Sequence, residues 1–153
     1  MRKTKTYTRD GRAPEPSSEA ISRVMSANKA KNTQPELALR KALFQNKILG
    51  YRLHYKKVPG RPDIAFVRQR LAVFVNGCYW HRCERCNYKL PKSNSDFWRQ
   101  KFEKNVERDR NKQRLLEAAG WQVLVVWECQ VNNEIEQQVK RINEARLINI
   151  KAN

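Results

Sequence analysis

The sequence predicts a single α/β domain with a central mixed sheet flanked by helices. Three observations carry that expectation: a capped helical pattern that opens at Thr33, two β-type runs over 63–67 and 71–75, and a long helical stretch leading into the apolar run Trp121 to Trp127. The order helix, strands, loop, helix, strand, helix suits a layered α/β domain, and the 153 residues hold no internal repeat and no second domain.

Residues 1–18 are polar, basic and Pro-containing without periodicity, which predicts a flexible basic arm ahead of a domain over 19–150. Glu19 to Lys31 carries a weak helical pattern through Ile21, Val24 and Met25. Thr33 and Glu36 have capping-box spacing, and Pro35 suits the first turn, where its missing N–H is not needed. Leu37, Leu39, Ala42 and Leu43 are expected to form the buried side of that helix. Tyr51 to Tyr55 reads as a short strand and Val58 to Pro62 as a turn. Asp63 to Val67 and Leu71 to Val75 read as antiparallel strands joined by the basic turn Arg68-Gln69-Arg70. Periodicity disappears between Gly77 and Lys92. Asp96 to Ala119 is predicted helical, capped by Ser95 and stopped by Gly120. Trp121 to Trp127 is continuously apolar apart from Gln122, as for a strand covered on both faces, with Trp121 and Trp127 assigned to the core. An amphipathic helix over Asn133 to Leu147 closes the domain.

Composition then narrows the function. With 40% hydrophobic residues and four Trp, the chain can bury a core, so it is not a disordered basic tail. No run approaches the roughly 18–20 apolar residues that span a bilayer, and the N-terminus has no signal-peptide segment, which predicts a cytoplasmic protein with no membrane partner. The 32 Lys and Arg against 15 Asp and Glu leave a net charge of +17. Such a surplus suits a polyanion binder, because neutralising phosphates releases condensed counterions. Nucleic acid is the first partner it implies and an anionic membrane surface the second. The excess is concentrated at 1–33 (eight basic, three acidic) and 52–92 (ten basic, two acidic), while 96–119 is nearly balanced (seven and five).

The central basic segment also holds the unusual chemistry. Cys78, Cys83 and Cys86 form C-x4-C-x2-C in the irregular loop, and Cys129 follows the apolar strand. Four thiolates make a closed, tetrahedral structural zinc site, and a cytosolic chain rarely spends cysteines on disulfides; the alternative is unrelated thiols. His81 lies inside the cluster and is not needed to fill the shell. On a loop held rigid by zinc, among basic and aromatic residues, its imidazole suits a general base. His54, between Leu53 and Tyr55, reads as a packed or surface histidine rather than a catalyst. Asp63 after the Pro-Gly-Arg-Pro turn suits Mg²⁺, which takes one or two carboxylates plus substrate phosphate and water, although taken alone a carboxylate at a strand start is unremarkable. Glu36 is explained by the capping box alone. Tyr79, Trp80, Phe97 and Trp98 either stack on bases or pack helix against loop, and composition leaves both open.

Taken together, Asn32 to Glu36, Pro59 to Asp63, Val75 to Cys83, Lys104 to Asp109, Gly120 to Val123 and Trp127 to Cys129 resemble the very-short-patch repair (Vsr) endonucleases, in the family's order over roughly residues 20–130. The resemblance implies a restriction-endonuclease-like fold with a structural Zn²⁺. It also implies a Mg²⁺-dependent nick of duplex DNA on the 5′ side of the T in a T:G mismatch left by 5-methylcytosine deamination. By position Asp63 matches the metal-binding aspartate, His81 the general base, and Glu36 the glutamate supporting the histidine and its water. Val75 matches a position whose backbone carbonyl contacts metal. Tyr79, Trp80 and Trp98 match the aromatics that enter DNA beside the mismatch, and the neighbouring Arg61 and Arg82 are expected to contact the DNA. Two departures are plain. Asn76 stands where the best-known members place a second histidine, so an altered rate is expected rather than lost activity. Cys83 stands where a zinc-binding histidine is common, with the loop one residue longer before Cys86.

The expected protein is therefore a bacterial, monomeric mismatch-nicking endonuclease, with other repair proteins as further partners. Its rivals are a restriction-type or mobile-element nuclease that needs no mismatch, and a non-catalytic zinc-stabilised DNA-binding module. A binding module needs neither Asp63 nor His81.

Overall fold

The structure, a computed structural model, describes Glu19 and residues 30–151. The arm expected over 1–18, and most of the helix expected over Glu19 to Lys31, lie outside the described residues. The described elements are α1 (Gln34–Gln45), β1 (Arg52–Leu53), β2 (Ile64–Phe66), β3 (Leu71–Asn76), α2 (Ser95–Ala118), β4 (Gln122–Trp127), α3 (Glu128–Asn133) and α4 (Ile135–Lys151). The sheet is mixed, in the order β1-β2-β3-β4. β1/β2 and β2/β3 are antiparallel, while β3 and β4 run parallel with α2 as the connection between them.

Alternation along the strands divides the sheet into two faces. Ile64, Phe66, Leu71, Val73, Val75, Leu124 and Val126 join Leu39 and Leu43 of α1, Val131 of α3, and Val139 and Ile142 of α4 in one core. Each such side chain contributes about 1.5–3 kcal/mol when fully removed from water, so this face holds the sheet together. The opposite face, carrying Phe74 and Asn76, looks toward Asp109, Lys112 and Gln113 of α2. Asp63, one residue before β2, falls on that face by the same alternation. Among the described residues no helix is long and apolar enough to cross a membrane.

Local expectations needed several corrections. The strand over Tyr51 to Tyr55 shrinks to Arg52–Leu53, because His54 takes a left-handed backbone (φ 46°) and turns the chain. Leu37 is 44% exposed, and the buried residues of the helix are Glu36, Leu39, Ala42 and Leu43. Asn94, not Ser95, precedes the first turn of α2, in left-handed conformation and without a side-chain cap. β4 is an edge strand whose burial alternates, with only Leu124 and Val126 fully inside and Trp121 and Trp127 half-buried. The closing helix is split, since Glu128–Asn133 forms a separate short helix before α4.

Candidate active site

The N-terminus of α1, the end of β1 and the start of β2 bring Glu36, His54 and Asp63 together, each offering a ligand atom within 4.8 Å of the others. Thr33 caps α1 as its spacing predicts, accepting from the Glu36 N–H at 3.4 Å. The Glu36 carboxylate does not complete the box. It accepts from the backbone N–H of Asn32 (2.9 Å), the Thr33 hydroxyl (3.2 Å) and the Arg40 guanidinium (2.9 Å). Glu36 is 2% exposed, and these donors are what makes a buried carboxylate tolerable there.

Asp63 is placed by the sheet. Its carbonyl accepts from His54 N–H at 3.1 Å, and its Oδ2 accepts from Val75 N–H at 2.8 Å, so the carboxylate is tied to β3 beside Asn76. Burial pushes its pKa up to about 6 with Glu36 adding to the effect, against the Val75 N–H and the cations Arg40 and Lys112. Oδ1 lies 3.9 Å from His54 Nδ1. Burial lowers the His54 pKa, and Arg40 reinforces this while Glu36 opposes it. A carboxylate whose charge burial makes costly, with a second carboxylate nearby, fits a hard divalent cation, which would restore the ionised form.

Gly60 sets the turn that presents Asp63. Its φ is +76°, and a Cβ there would stand 2.9 Å from Lys112 Cβ, so the 58–62 turn packs directly on α2. Lys112 Nζ is 3.9 Å from Asp109 Oδ1, and Asp109 Oδ2 meets His81 Nδ1 at 2.5 Å. Lys112 thus links the Asp63 neighbourhood to the histidine. Asn76, Phe74, Asp109, Lys112 and Gln113 line a cavity of about 10 Å³, room for one water at most.

His81 hangs on a loop that carries its own scaffold. Cys78, Cys83 and Cys86 meet Cys129 from the first turn of α3, with all four sulfurs within 4.8 Å of one another. Cys83 and Cys129 Sγ are 3.9 Å apart, close to the spacing of roughly 3.8 Å across a tetrahedron with 2.3 Å metal–sulfur bonds. Cys129 N–H points at Cys78 Sγ (3.3 Å), and Cys78 N–H donates to Glu128 (3.1 Å). Burial raises the Cys78 pKa. Burial also works against the Cys83 thiolate, but the Cys86 and Arg85 N–H groups outweigh it and hold that pKa down. The donor set therefore fits a soft tetrahedral cation.

The aromatic residues form one cluster. Tyr79 meets Trp80, Tyr88 and Phe102 edge-on, and Trp80 lies 6.1 Å from Trp98, which stacks on Phe102. Trp98 and Phe102 are buried, Tyr79, Trp80 and Phe97 half-exposed, so the cluster roots in α2 and presents an outer edge. Lys101 Nζ rests 5.1 Å from the Trp98 ring, and Asn105 donates to the Trp80 carbonyl. Arg61 is exposed within the 58–62 turn. Arg82 lies over Phe102 at 4.6 Å and donates to the Tyr88 carbonyl, so its guanidinium is engaged inside the loop. An open groove along α2 is lined by Lys104, Arg108, Arg110 and Arg114 with Glu107 and Asn111, a basic strip that the near-balanced charge of the helix conceals.

Two residues of this site escaped sequence reading. His54 sits nine positions before Asp63 and is brought opposite it only by strand pairing. Asp109 lay inside a quoted motif without a role, and its value depends on which face of α2 meets the loop.

The model of the family DNA mismatch endonuclease Vsr matches residues 17–87. The chain is 45% identical over 112 residues to the type II nicking enzyme V.XorIIP of Xanthomonas oryzae pv. oryzae, covering 72% of this chain and 80% of that protein. It belongs to the Vsr family. A second member, the type II nicking enzyme V.NaeI of Lentzea aerocolonigenes, is 43% identical over 127 residues (77% and 73% covered). The DNA mismatch endonuclease Vsr of Escherichia coli is 42% identical over 81 residues, about half of each chain. In fold, the catalytic domain of the homing endonuclease I-Bth0305I superposes with a TM-score of 0.55 at 23% identity, covering 78% of this chain and 99% of that one. As a Vsr-family protein the chain is a DNA endonuclease with the α/β architecture of that domain, and DNA is its substrate.

Proposed function

We propose that this Vsr-family endonuclease nicks duplex DNA on the 5′ side of the T in a T:G mismatch, with Mg²⁺ at Asp63 and a structural Zn²⁺ on Cys78, Cys83, Cys86 and Cys129. The observation that carries the reading is the pair of separately scaffolded groups, Asp63 tied to β3 and His81 paired with Asp109, joined through Lys112. A binding module has no use for either.

In this reading His81 takes the proton from the attacking water through Nε2, since Nδ1 faces Asp109. Asp109 holds the ring in that tautomer and stabilises the imidazolium that forms. Asp63 and the Val75 carbonyl would hold the cation, which when bound would supply charge neutralisation to the phosphate under attack. Glu36, fixed by Arg40, adds negative charge beside that position, and Asn76 offers an amide to phosphate or water where a histidine stands in the best-known members. Tyr79 and Trp80 present the exposed edge that inserts at the weakened mismatch stack, and Trp98 supports it from beneath. Arg61 and the basic strip of α2 hold phosphates.

Several relatives are named as type II nicking enzymes, which favours a second reading: nicking tied to a restriction system's target sequence, with or without a mismatch. Labelled duplexes carrying T:G, T:A or C:G in several contexts, incubated with Mg²⁺, decide between them. Nicking confined to T:G, and lost in Asp63→Ala and His81→Ala, is the expected result. Equal cutting of matched duplexes removes the mismatch reading, and duplex binding without cutting removes catalysis. Zinc retained through purification at one ion per chain is expected of the cysteine site.

A further inference from the structure

We infer that Lys112 is a catalytic residue: its ammonium, with the Asn76 amide, receives a non-bridging oxygen of the phosphate under attack. The inference rests on the reading of Asp63 and His81 as the reacting pair and adds a residue to which neither the family resemblance nor the relatives' names assign a role. Lys112 is aimed by its stem. A Cβ at Gly60 would stand 2.9, 3.0 and 3.3 Å from Lys112 Cβ, Cγ and Cδ, so the methylenes lie along bare backbone in the turn that presents Asp63. The charged end reaches the other half of the site, where Nζ is 3.9 Å from Asp109 Oδ1 and Asp109 Oδ2 meets His81. That separation is an ionic contact beyond hydrogen-bond reach, and the Lys112 side chain makes no hydrogen bond among the described residues. All three of its donors are therefore available, on a side chain 33% exposed and open to a ligand.

The cavity beside the lysine supports the same assignment independently. The space of about 10 Å³ that Lys112 lines with Phe74, Asn76, Asp109 and Gln113 takes a single oxygen atom, not a whole phosphate. Asn76 is 8% exposed, and its side-chain amide has no hydrogen-bond partner among the described residues, nor has that of Gln113. A buried amide without a partner is costly, so its position calls for a ligand. Three donor-bearing side chains thus line one oxygen-sized space, and its carboxylate, Asp109, is turned to His81 through Oδ2. A phosphate oxygen would satisfy those donors, with the ammonium offsetting the nearby Asp109 charge. Asn76 also follows Val75, whose N–H holds Asp63 Oδ2 at 2.8 Å, so this seat adjoins the metal-binding carboxylate. Negative charge grows on the non-bridging oxygens as water attacks, and a fixed ammonium there stabilises that state more than the starting phosphate.

The test takes the full chain as purified and whichever duplex the wild type nicks, with the nick mapped. Lys112→Met keeps an aliphatic stem on Gly60 and removes the ammonium. It is expected to slow single-turnover nicking in Mg²⁺ by about 100-fold to 1,000-fold. Binding is read without added divalent cation, where the slope of log Kd against log[NaCl] is expected to fall in magnitude by about 0.9, one phosphate contact. Lys112→Arg keeps the charge and is expected to keep the slope while recovering only part of the rate. A duplex with a neutral methylphosphonate at the mapped position locates the contact, because wild type and Lys112→Met are expected to bind it with the same Kd. A wild-type nicking rate or an unchanged salt slope in Lys112→Met overturns the assignment; the second, with a shifted pH profile, makes Lys112 only the counter-ion of Asp109. A Kd difference that persists on the methylphosphonate duplex puts the lysine on another phosphate and overturns it as well. If Lys112→Met loses the native circular dichroism, Lys112→Gln carries the same comparisons. Asp63→Ala and His81→Ala separate the two failures: full nicking in both removes the reacting pair and Lys112 with it, whereas nicking lost in both but normal in Lys112→Met removes Lys112 alone.

Discussion

Asp63 and His81 are held by opposite means. Asp63 stands at the entrance to β2, and its position follows from strand register, the Val75 N–H and a sheet packed on one continuous core. His81 stands on an irregular loop outside the sheet ladder, held by turn hydrogen bonds such as His81 N–H to the Gly77 carbonyl, and its position follows from four cysteines and an aromatic cluster rooted in α2. The first group is positioned by the same burial that folds the chain. The second depends on a local scaffold of buried cysteines and aromatic rings, which a metal would complete, because a loop without ladder hydrogen bonds has little else to hold it. The two can therefore be broken separately.

Asp63→Ala gives the largest effect. Loss of the carboxylate is expected to lower single-turnover nicking by about 1,000-fold or more, as several kcal/mol of charge stabilisation disappear, with far-UV circular dichroism unchanged. Next is the histidine side: His81→Ala is expected to cost about 100-fold to 10,000-fold. Asp109→Asn is expected to fall within the same range, because an amide no longer enforces the tautomer or stabilises the imidazolium. Full activity in Asp109→Asn would sink the dyad.

Cys129→Ser tests whether the scaffolds are independent. Metal content is expected to fall, near-UV aromatic signal to diminish and nicking to be lost, while far-UV signal from the sheet and helices persists. Collapse of the whole fold would show that the loop and sheet are one unit.

Asp63 also sets a pH dependence in the absence of divalent cations. Its folded pKa of about 6 lies above the ordinary 3.8, so between those values the folded state binds more protons than the unfolded one. Stability is then expected to fall as pH rises through that window, with the cost complete above about pH 6. Asp63→Asn removes the cost and is expected to be more stable than wild type by about 2–3 kcal/mol at pH 7 and equal to it near pH 3.5, as read by urea unfolding in chelator. The smallest effect is expected from Gly60→Ala, about 1–2 kcal/mol of stability, because the new methyl enters a left-handed position against Lys112.

How much was legible varies by region. The Thr33 cap, the antiparallel pair around Arg68-Gln69-Arg70 and the cysteine cluster were readable because each rests on contacts close in sequence or on residues with few alternative uses. The cysteines were grouped by chemistry before any geometry, and the structure brings their sulfurs together. Glu36 shows the limit. Its capping-box spacing was correct for Thr33, but its carboxylate turned to Asn32 and Arg40, since the 2% exposed position offered those donors. β4 was expected buried on both faces and proved an edge strand, because apolar content does not report a strand's place in the sheet.

The sequence by itself determined the partner class through its charge, the grouping of the four cysteines through their chemistry, and the order of the elements through periodicity. Those are properties of composition and short spacing. Only the tertiary structure decided that His54 faces Asp63, that Asp109 rather than another acid of α2 meets His81, and that Lys112 stands between the two groups. Each of these depends on the angular position of a side chain on a helix or the register of a strand across a turn. One residue of slip would aim a different side chain at the site, and only the packing of the whole domain fixes that register.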